Sequence, residues 1–254
     1  MRDGRSFATR TVQARQKGRC IFTTTISFVR EGSSGSPGSQ VSHAHPMPLG
    51  PDGQPERAPP DDYAGEPALV SQGPFQAARI RVLNRESPHP HEKKTRQWVR
   101  ARGTIRGGHQ AHLNALAYVS DSYFIGTIHR IHNLWRFPFK PEDVDALPPH
   151  VRDRVAALSD WEGLDGDVKS MVGRPEIGMM VSLDHSIYFH EPSRLRADDW
   201  MLNEMDSPWA GDGRGVVTQR IFSKDGTLLA TCVQEVTIKN FPYSLCVSCL
   251  DWGG

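Results

Sequence analysis

Two polar side chains occupy positions where the surrounding pattern is apolar. Asp121 lies in ALAYVSDSYFIGT, residues 115 to 127, beside a stripe of Leu113, Leu116, Ala117, Ser120 and Phe124 that recurs at helical spacing. Gln234 interrupts a period-two row of Ala230, Cys232, Val236 and Ile238 in TLLATCVQEVTI. A buried amide left without partners costs on the order of 1–3 kcal/mol, and a carboxylate against apolar surface is penalised by desolvation. A carboxylate in such a place can serve as a general base, and a buried Gln needs hydrogen-bond partners. Ser182, in MVSLDHSIYFHEP, is a weaker candidate, because alternation puts it on one strand face with Asp184 and Ser186.

Other chemistries find less support. His185 and His190 are five apart in a strand pattern and point to opposite faces, which is unsuited to a shared metal. His129 and His132 form an HxxH with no carboxylate at zinc-motif spacing, so a loop or insertion role is expected. No GxSxG elbow supports a nucleophilic serine. The four cysteines, Cys20, Cys232, Cys246 and Cys249, are too scattered for a disulfide framework, and the single CxxC has no partner pair. Neither a metal nor a cofactor is therefore expected. A net charge of +1 with both signs interspersed gives no nucleic-acid groove or polybasic membrane patch. Lys93, Lys94, Arg96 and Arg100 open a strand and read as a solvated face before they read as a phosphate site. No apolar run reaches the roughly 18–20 residues of a membrane span, and the N-terminus lacks a secretory apolar core. Its Arg-rich first twenty residues read better as strand and turn than as a transit peptide.

The elements that must position these residues are legible in part. Residues 31–75 are dense in Gly, Pro and Ser and read as a flexible linker between residues 1–30 and a structured region, 76–240. Strands are expected at ARIRVLN and TRQWVRARG, then a helix from about His109 to Phe124. Residues 132–170, charged and punctuated by proline, read as a surface insertion with a short helix at VRDRVAALSDW. Strand patterns resume at IGMMVSLDHSIYFH, WMLNEMDS, GVVTQRIF and TLLATCVQEVTI. Residues 241–254 form a divergent tail.

The sequence also repeats. The stretch DGRSFATRTVQARQKGRCIFTTTISF from Asp3 aligns with DGRGVVTQRIFSKDGTLLATCVQEVTI from Asp212, with one gap at the turn. Each copy is a lead-in, a strand, a basic-then-Gly turn and a second strand. Ile26 matches Gln234, so the polar substitution belongs to the second copy alone.

A strand, a long apolar helix and an antiparallel meander, with AYVSDSYF, MVSLDHSIYFHEP, the DDW and SPWAGDGRG segments and TCVQE in that order, resemble the type II acyl-CoA thioesterase family. The resemblance runs from about Lys93 to Glu235 and more weakly over residues 3–28. It implies an α+β hotdog fold, here an incomplete double hotdog with only the closing hairpin of its first half. It also implies hydrolysis of fatty acyl-CoA by a water held by Asp121, Ser182 and Gln234. A thioester is reactive enough for a directed water to attack it without an acyl-enzyme. The GlyGly at 107 and 108 is the expected source of backbone donors for the carbonyl oxygen.

The chain departs from the resemblance in its shortened first hotdog, the 132–170 insertion, and a tail that runs on past Glu235. A peroxisomal location follows from the family, but the C-terminal WGG is not a peroxisomal address of the SKL type, and a cytoplasmic one is the alternative. Exposed apolar surface left by the missing half favours a homo-oligomer. The rival reading is an inactive module that binds acyl-CoA or a protein partner. A hydratase of the same fold would need an Asp/His pair, and His109 and His112 lie about three turns before Asp121.

Overall fold

The computed structural model describes residues 2–30, 41–68, 70–164 and 168–239. They form two compact units, Met1–Ala44 and His45–Gly254. The expected tail lies outside the described residues, as do Cys246 and Cys249.

The first unit is a three-stranded antiparallel sheet of β1 (Arg2–Asp3), β2 (Phe7–Gln16) and β3 (Arg19–Val29). Its hairpin closes through Lys17 and Gly18, both with positive φ, 50° and 77°, the two-residue turn that matches strand twist. The Arg-rich opening is thus strand and turn. Phe22, Ile26 and Phe28 of β3 are exposed. Ile26 faces Arg10 across the hairpin, whereas Gln234 faces Val217, so the two copies are alike in sequence but differ in register.

The second unit is built on one antiparallel sheet. Its strands are β4 (Phe75–Ala77), β5 (Arg81–Leu83), β6 (Lys94–Ala101), β7 (Met179–Ser182), β8 (Ser186–Phe189), β9 (Met201–Gly211), β10 (Arg214–Ser223) and β11 (Leu228–Lys239). Their order is β4-β6-β9-β10-β11-β7, with β5 also on β6 and β8 also on β11. Helices α1 (Gly108–Val119) and α2 (Gly126–His132) pack on one face of it. Leu116, Val119, Phe124 and Ile128 meet Val99, Met205, Val217, Ile221, Cys232 and Val236, all fully or almost fully buried. Each such large side chain stabilises the fold by about 1.5–3 kcal/mol. Gly215 in β10 allows this approach, since a Cβ there would stand 2.8 Å from Ile128 Cδ1. This is the hotdog arrangement in the α+β class.

Three expectations are corrected. The helix expected over 109–124 stops at Val119, and residues 120–125 form a turn before α2 begins. Ser120 Oγ donates to Ala117 O at 2.9 Å, and Ser-Asp-Ser at 120–122 carries short polar side chains that compete with helical hydrogen bonding.

The linker expected over 31–75 is, from His45 on, part of the second unit; residues 31–40 lie outside the described residues. Arg96 donates to Leu49 O at 2.6 Å and to Glu56 at 3.1 Å, and Glu56 also pairs with Arg81. Tyr63 sets its ring edge against Trp200 at 5.9 Å, and Glu66 accepts from Ala77 N at 3.1 Å. A few anchoring side chains hold a segment whose average composition predicts no structure.

The insertion expected over 132–170 has a core of its own in Trp135, Val144, Val155 and Val168, joined by Met171. Helix α3 (Pro149–Trp161) ends in the main core, where Trp161 is buried and its carbonyl accepts from Ile80 N at 2.8 Å. Beside it Glu162 pairs with Arg136 and lies 3.8 Å from Arg130 and 3.6 Å from His129. Among the described residues no helix is long and apolar enough to cross a membrane.

Candidate functional site

Gln234 is fully buried in the middle of β11, and its Nε2 donates to Asp121 Oδ1 at 2.6 Å. The carboxylate is exposed, at the turn that follows α1. The desolvation cost expected for Asp121 is therefore small, because water reaches it, while the amide that fixes it is the buried partner. The bond to a carboxylate forces the amide's orientation, since only the NH2 can donate. Gln234 Oε1 is then a buried acceptor with no partner among the described residues.

A bulge shapes the other side of the site. β11 pairs first with β8, Val233 opposite Ser186, and then with β7, Val236 opposite Ser182. Three residues, 183–185, therefore oppose two, 234 and 235, which is the count of a β-bulge. Leu183 N donates to Glu235 O at 2.8 Å, and Asp184 Oδ1 accepts from Glu235 N at 2.7 Å, which pins the kink.

The bulge alters which side chains share a face. Ser182 lies opposite Val236, on the face of Gln234, while Ser186 lies opposite Val233 on the other. The expected common face of Ser182, Asp184 and Ser186 is thus broken, to the advantage of Ser182. Ser182 is exposed and diagonal to Gln234, and among the described residues no hydrogen bond joins it to Gln234 or Asp121. The structure joins two of the three expected residues directly and sets the third on their face.

His185, dismissed above as a metal ligand, belongs to this neighbourhood. Its Nε2 lies 2.9 Å from Ser120 Oγ, one residue before Asp121, and its ring meets Phe124 edge-on at 5.6 Å. Burial lowers its pKa, and the charges of Asp121 and Asp184 oppose that shift. No period-two reading finds His185, because the bulge that turns it is a matter of pairing between strands. Cys232, buried next in the row to Gln234, has its thiol pushed up to about 12 by burial and is inert.

The expected oxyanion donors do not fit. Gly107 and Gly108 stand at the start of α1 and Asp121 just past its end, so about 18 Å of helix separates them. Donors must lie within about 3 Å of the oxygen they stabilise. Of the strand-opening cations, three are committed to ion pairs and stacking: Lys94 and Arg96 reach Glu204 at 3.3 and 2.8 Å, and Arg100 stacks over Trp200 at 4.3 Å. Of the HxxH, His129 is buried in α2, not in a loop, and burial holds its pKa down at about 4. His112 accepts from Ala197 N at 3.2 Å, at the far end of α1 from Asp121.

Comparison with known proteins agrees with this architecture. Residues 52–238 match the family model described as acyl-CoA thioesterase C-terminal domain. The chain is 34% identical over 259 residues to acyl-coenzyme A thioesterase 8 of Homo sapiens and 32% identical over 264 residues to that of Rattus norvegicus. Both alignments cover 95% of this chain and 66% of the relative. The chain thus spans just under two thirds of the length of these relatives. Among solved structures it resembles the acyl-CoA thioesterase II TesB2 of Mycobacterium marinum, with a TM-score of 0.59, 27% identity and coverage of 94% of this chain and 71% of the other. A protein of unknown function with a hot dog fold from Alicyclobacillus acidocaldarius shares the fold, with a TM-score of 0.51, 20% identity and coverage of 95% and 70%.

Proposed function

Because this chain belongs to the acyl-CoA thioesterase family, with 52–238 matching its C-terminal domain, we propose that it hydrolyses fatty acyl-CoA to a fatty acid and CoA by direct attack of water. The observation that carries this reading is the 2.6 Å bond from buried Gln234 to the exposed carboxylate of Asp121. A carboxylate fixed on one oxygen and open to solvent on the other is arranged to aim a water and take its proton.

In this mechanism Asp121 accepts one proton as the water oxygen bonds to the thioester carbonyl carbon. The tetrahedral adduct then collapses, the C–S bond breaks, and the CoA thiolate regains the proton. Gln234 holds Asp121 through Nε2 and so fixes the direction of its second oxygen. Ser182, exposed on the same face, offers a hydroxyl to the water's lone pair or to the substrate. Donors to the carbonyl oxygen come from elsewhere than Gly107 and Gly108.

The test is thiol release from a medium-to-long acyl-CoA by the purified chain, with Asp121→Asn alongside and far-UV circular dichroism to check folding. Release that disappears in a folded Asp121→Asn protein supports the reading. Equal release from both proteins rejects the role of Asp121, and none from the parent rejects the activity of this chain.

A further inference from the structure

The end of α1 far from Asp121 opens on a cleft of about 340 Å³, with Arg106, Gly108, His109, His112, Ser193 and Arg196 on its walls. Gly107 at the N-cap makes no side-chain bond to the helix, and the first turn carries no acidic residue. N–H groups left uncapped at such an end favour an anion. Gly108, at φ 70°, keeps the approach to them open, since nothing lies within 4 Å of where a Cβ would stand. Arg106 adds an exposed guanidinium with neither an ion pair nor a hydrogen bond among the described residues.

A buried donor in the same cleft is the second sign of a ligand. His112 is only 2% exposed, and its Nδ1 accepts from Ala197 N at 3.2 Å. A backbone N–H can only donate, so the ring carries its proton on Nε2. Asp198, 3.5 Å from the same Nδ1, is taken up by Ile105 N at 3.0 Å and by Arg196 at 3.3 Å. The Nε2–H of this cleft-lining ring has no acceptor among the described residues. Donors so placed are seldom left without a partner.

The distance to Asp121 indicates whose anion this is. About 18 Å of helix separates Gly108 from Asp121. Between them Gln110, Asn114 and Tyr118 are exposed at four-residue spacing, and Asp121 follows three further on, so all four lie along one side. From the sulfur of a CoA thioester to its pyrophosphate run about thirteen bonds, a reach of about 16 Å when extended. That arm carries a pair of amides. Gln110 Nε2 donates to Asn114 Oδ1 at 3.1 Å, which leaves Gln110 Oε1 as an acceptor and Asn114 Nδ2 as a donor for them. We propose that the cleft binds the pyrophosphate of the acyl-CoA whose thioester lies at Asp121, with Arg106, His112 Nε2 and the uncapped end of α1 as donors and the connecting arm laid along Gln110 and Asn114. The proposal rests on the thioesterase reading. It gives Gly107 and Gly108, too distant to serve the carbonyl oxygen, an anion that their position suits. Arg106 and His112 bind substrate here and take no part in the attack on the thioester.

Two measurements on the full chain test this. Titration calorimetry compares CoA binding by the parent, by Arg106→Ala and by Arg57→Ala, which removes an exposed cation outside the cleft; far-UV circular dichroism checks folding. Affinity for CoA should fall about tenfold in Arg106→Ala and stay unchanged in Arg57→Ala. No CoA binding by the parent, equal binding by parent and Arg106→Ala, or an equal loss in both variants overturns the proposal. ADP, which has a pyrophosphate and no arm, should bind more weakly than CoA; equal affinity overturns the path along Gln110 and Asn114. In the kinetic measurement, KM for acyl-CoA should rise about tenfold in Arg106→Ala with kcat unchanged, and both proteins should hydrolyse acyl-pantetheine, which lacks phosphate, alike. Thiol release with the same KM for acyl-CoA in both overturns the cleft and leaves the thioesterase reading standing. CoA binding that depends on Arg106, without release of thiol by the parent, upholds the cleft as a CoA site and overturns hydrolysis by this chain.

Discussion

Gln234 and Asp121, 113 positions apart, are joined by one hydrogen bond of 2.6 Å from the centre of β11 to the turn after α1. The buried partner is the neutral one and the exposed partner is charged. The arrangement therefore gains an oriented carboxylate without burying a charge, which is the costlier of the two.

This division of labour predicts opposite effects on stability and activity at Gln234. Gln234→Leu removes a buried Oε1 that is unpaired among the described residues and extends the apolar row of Cys232 and Val236. Unfolding stability should be unchanged or higher by about 1 kcal/mol, a rise of about 2–4 °C in Tm. Thiol release should fall at least about tenfold, as the carboxylate loses its fixed orientation. A Tm drop of several degrees in calorimetry would contradict this account of the amide.

Ser182 is exposed and hydrogen-bonds to neither Asp121 nor Gln234 among the described residues, so Ser182→Ala should leave chemical denaturation within about 0.5 kcal/mol of the parent. If its hydroxyl contacts the water or the substrate, kcat falls about tenfold. Steady-state kinetics beside a urea titration separates the two effects.

Glu162 gathers Arg136, Arg130 and His129 in a buried cluster. Burial pushes its carboxyl up, but the three neighbours outweigh burial and hold it down at about 2, against 4.5 when free. Its stabilisation is thus complete above pH 4.5 and lost as pH falls toward 2. His129, held at about 4 against 6.5, acts in the same direction: between pH 6.5 and 4 only the unfolded chain takes its proton, so stability declines on acidification there too. Urea unfolding from pH 8 to 3 should show this decline. Glu162→Gln, which leaves buried cations uncompensated, should cost about 3–5 kcal/mol at pH 7.

Glu56 ties residues 45–68 to the sheet through Arg81 and Arg96. Glu56→Ala should loosen that segment before the rest of the domain. Limited proteolysis should cut the variant within it at protease levels the parent resists; equal cleavage of both would mean that the Tyr63 and Glu66 anchors suffice.

The alternation in TLLATCVQEVTI makes β11 legible and the break in its apolar row singles out Gln234, whereas IGMMVSLDHSIYFH reads as one strand and folds as two, β7 and β8. The end of α1 is not legible, because Ser120 and Asp121 suit both a helix face and a turn. The segment from His45 to Phe75 reads as a linker by composition, since a handful of anchors is invisible to an average. Alternation carried straight through 183–185 puts Ser182 on a polar face and turns His185 away from His190, so that by pattern alone neither reads as part of the site. Both readings missed the same bulge, which depends on how β11 pairs with two short strands.

That bulge makes the site depend on arithmetic as well as on chemistry. Three residues stand where two would close the ladder. Deleting Leu183 would leave Ser182 and Ser186 opposite their present partners and every named functional side chain in the chain. It would nevertheless remove the surplus that kinks the strand beside Gln234 and brings His185 to Ser120. A variant can therefore keep all the right letters and lose the site by length alone, so in related sequences the spacing from Ser182 to Ser186 carries as much information as the residues themselves.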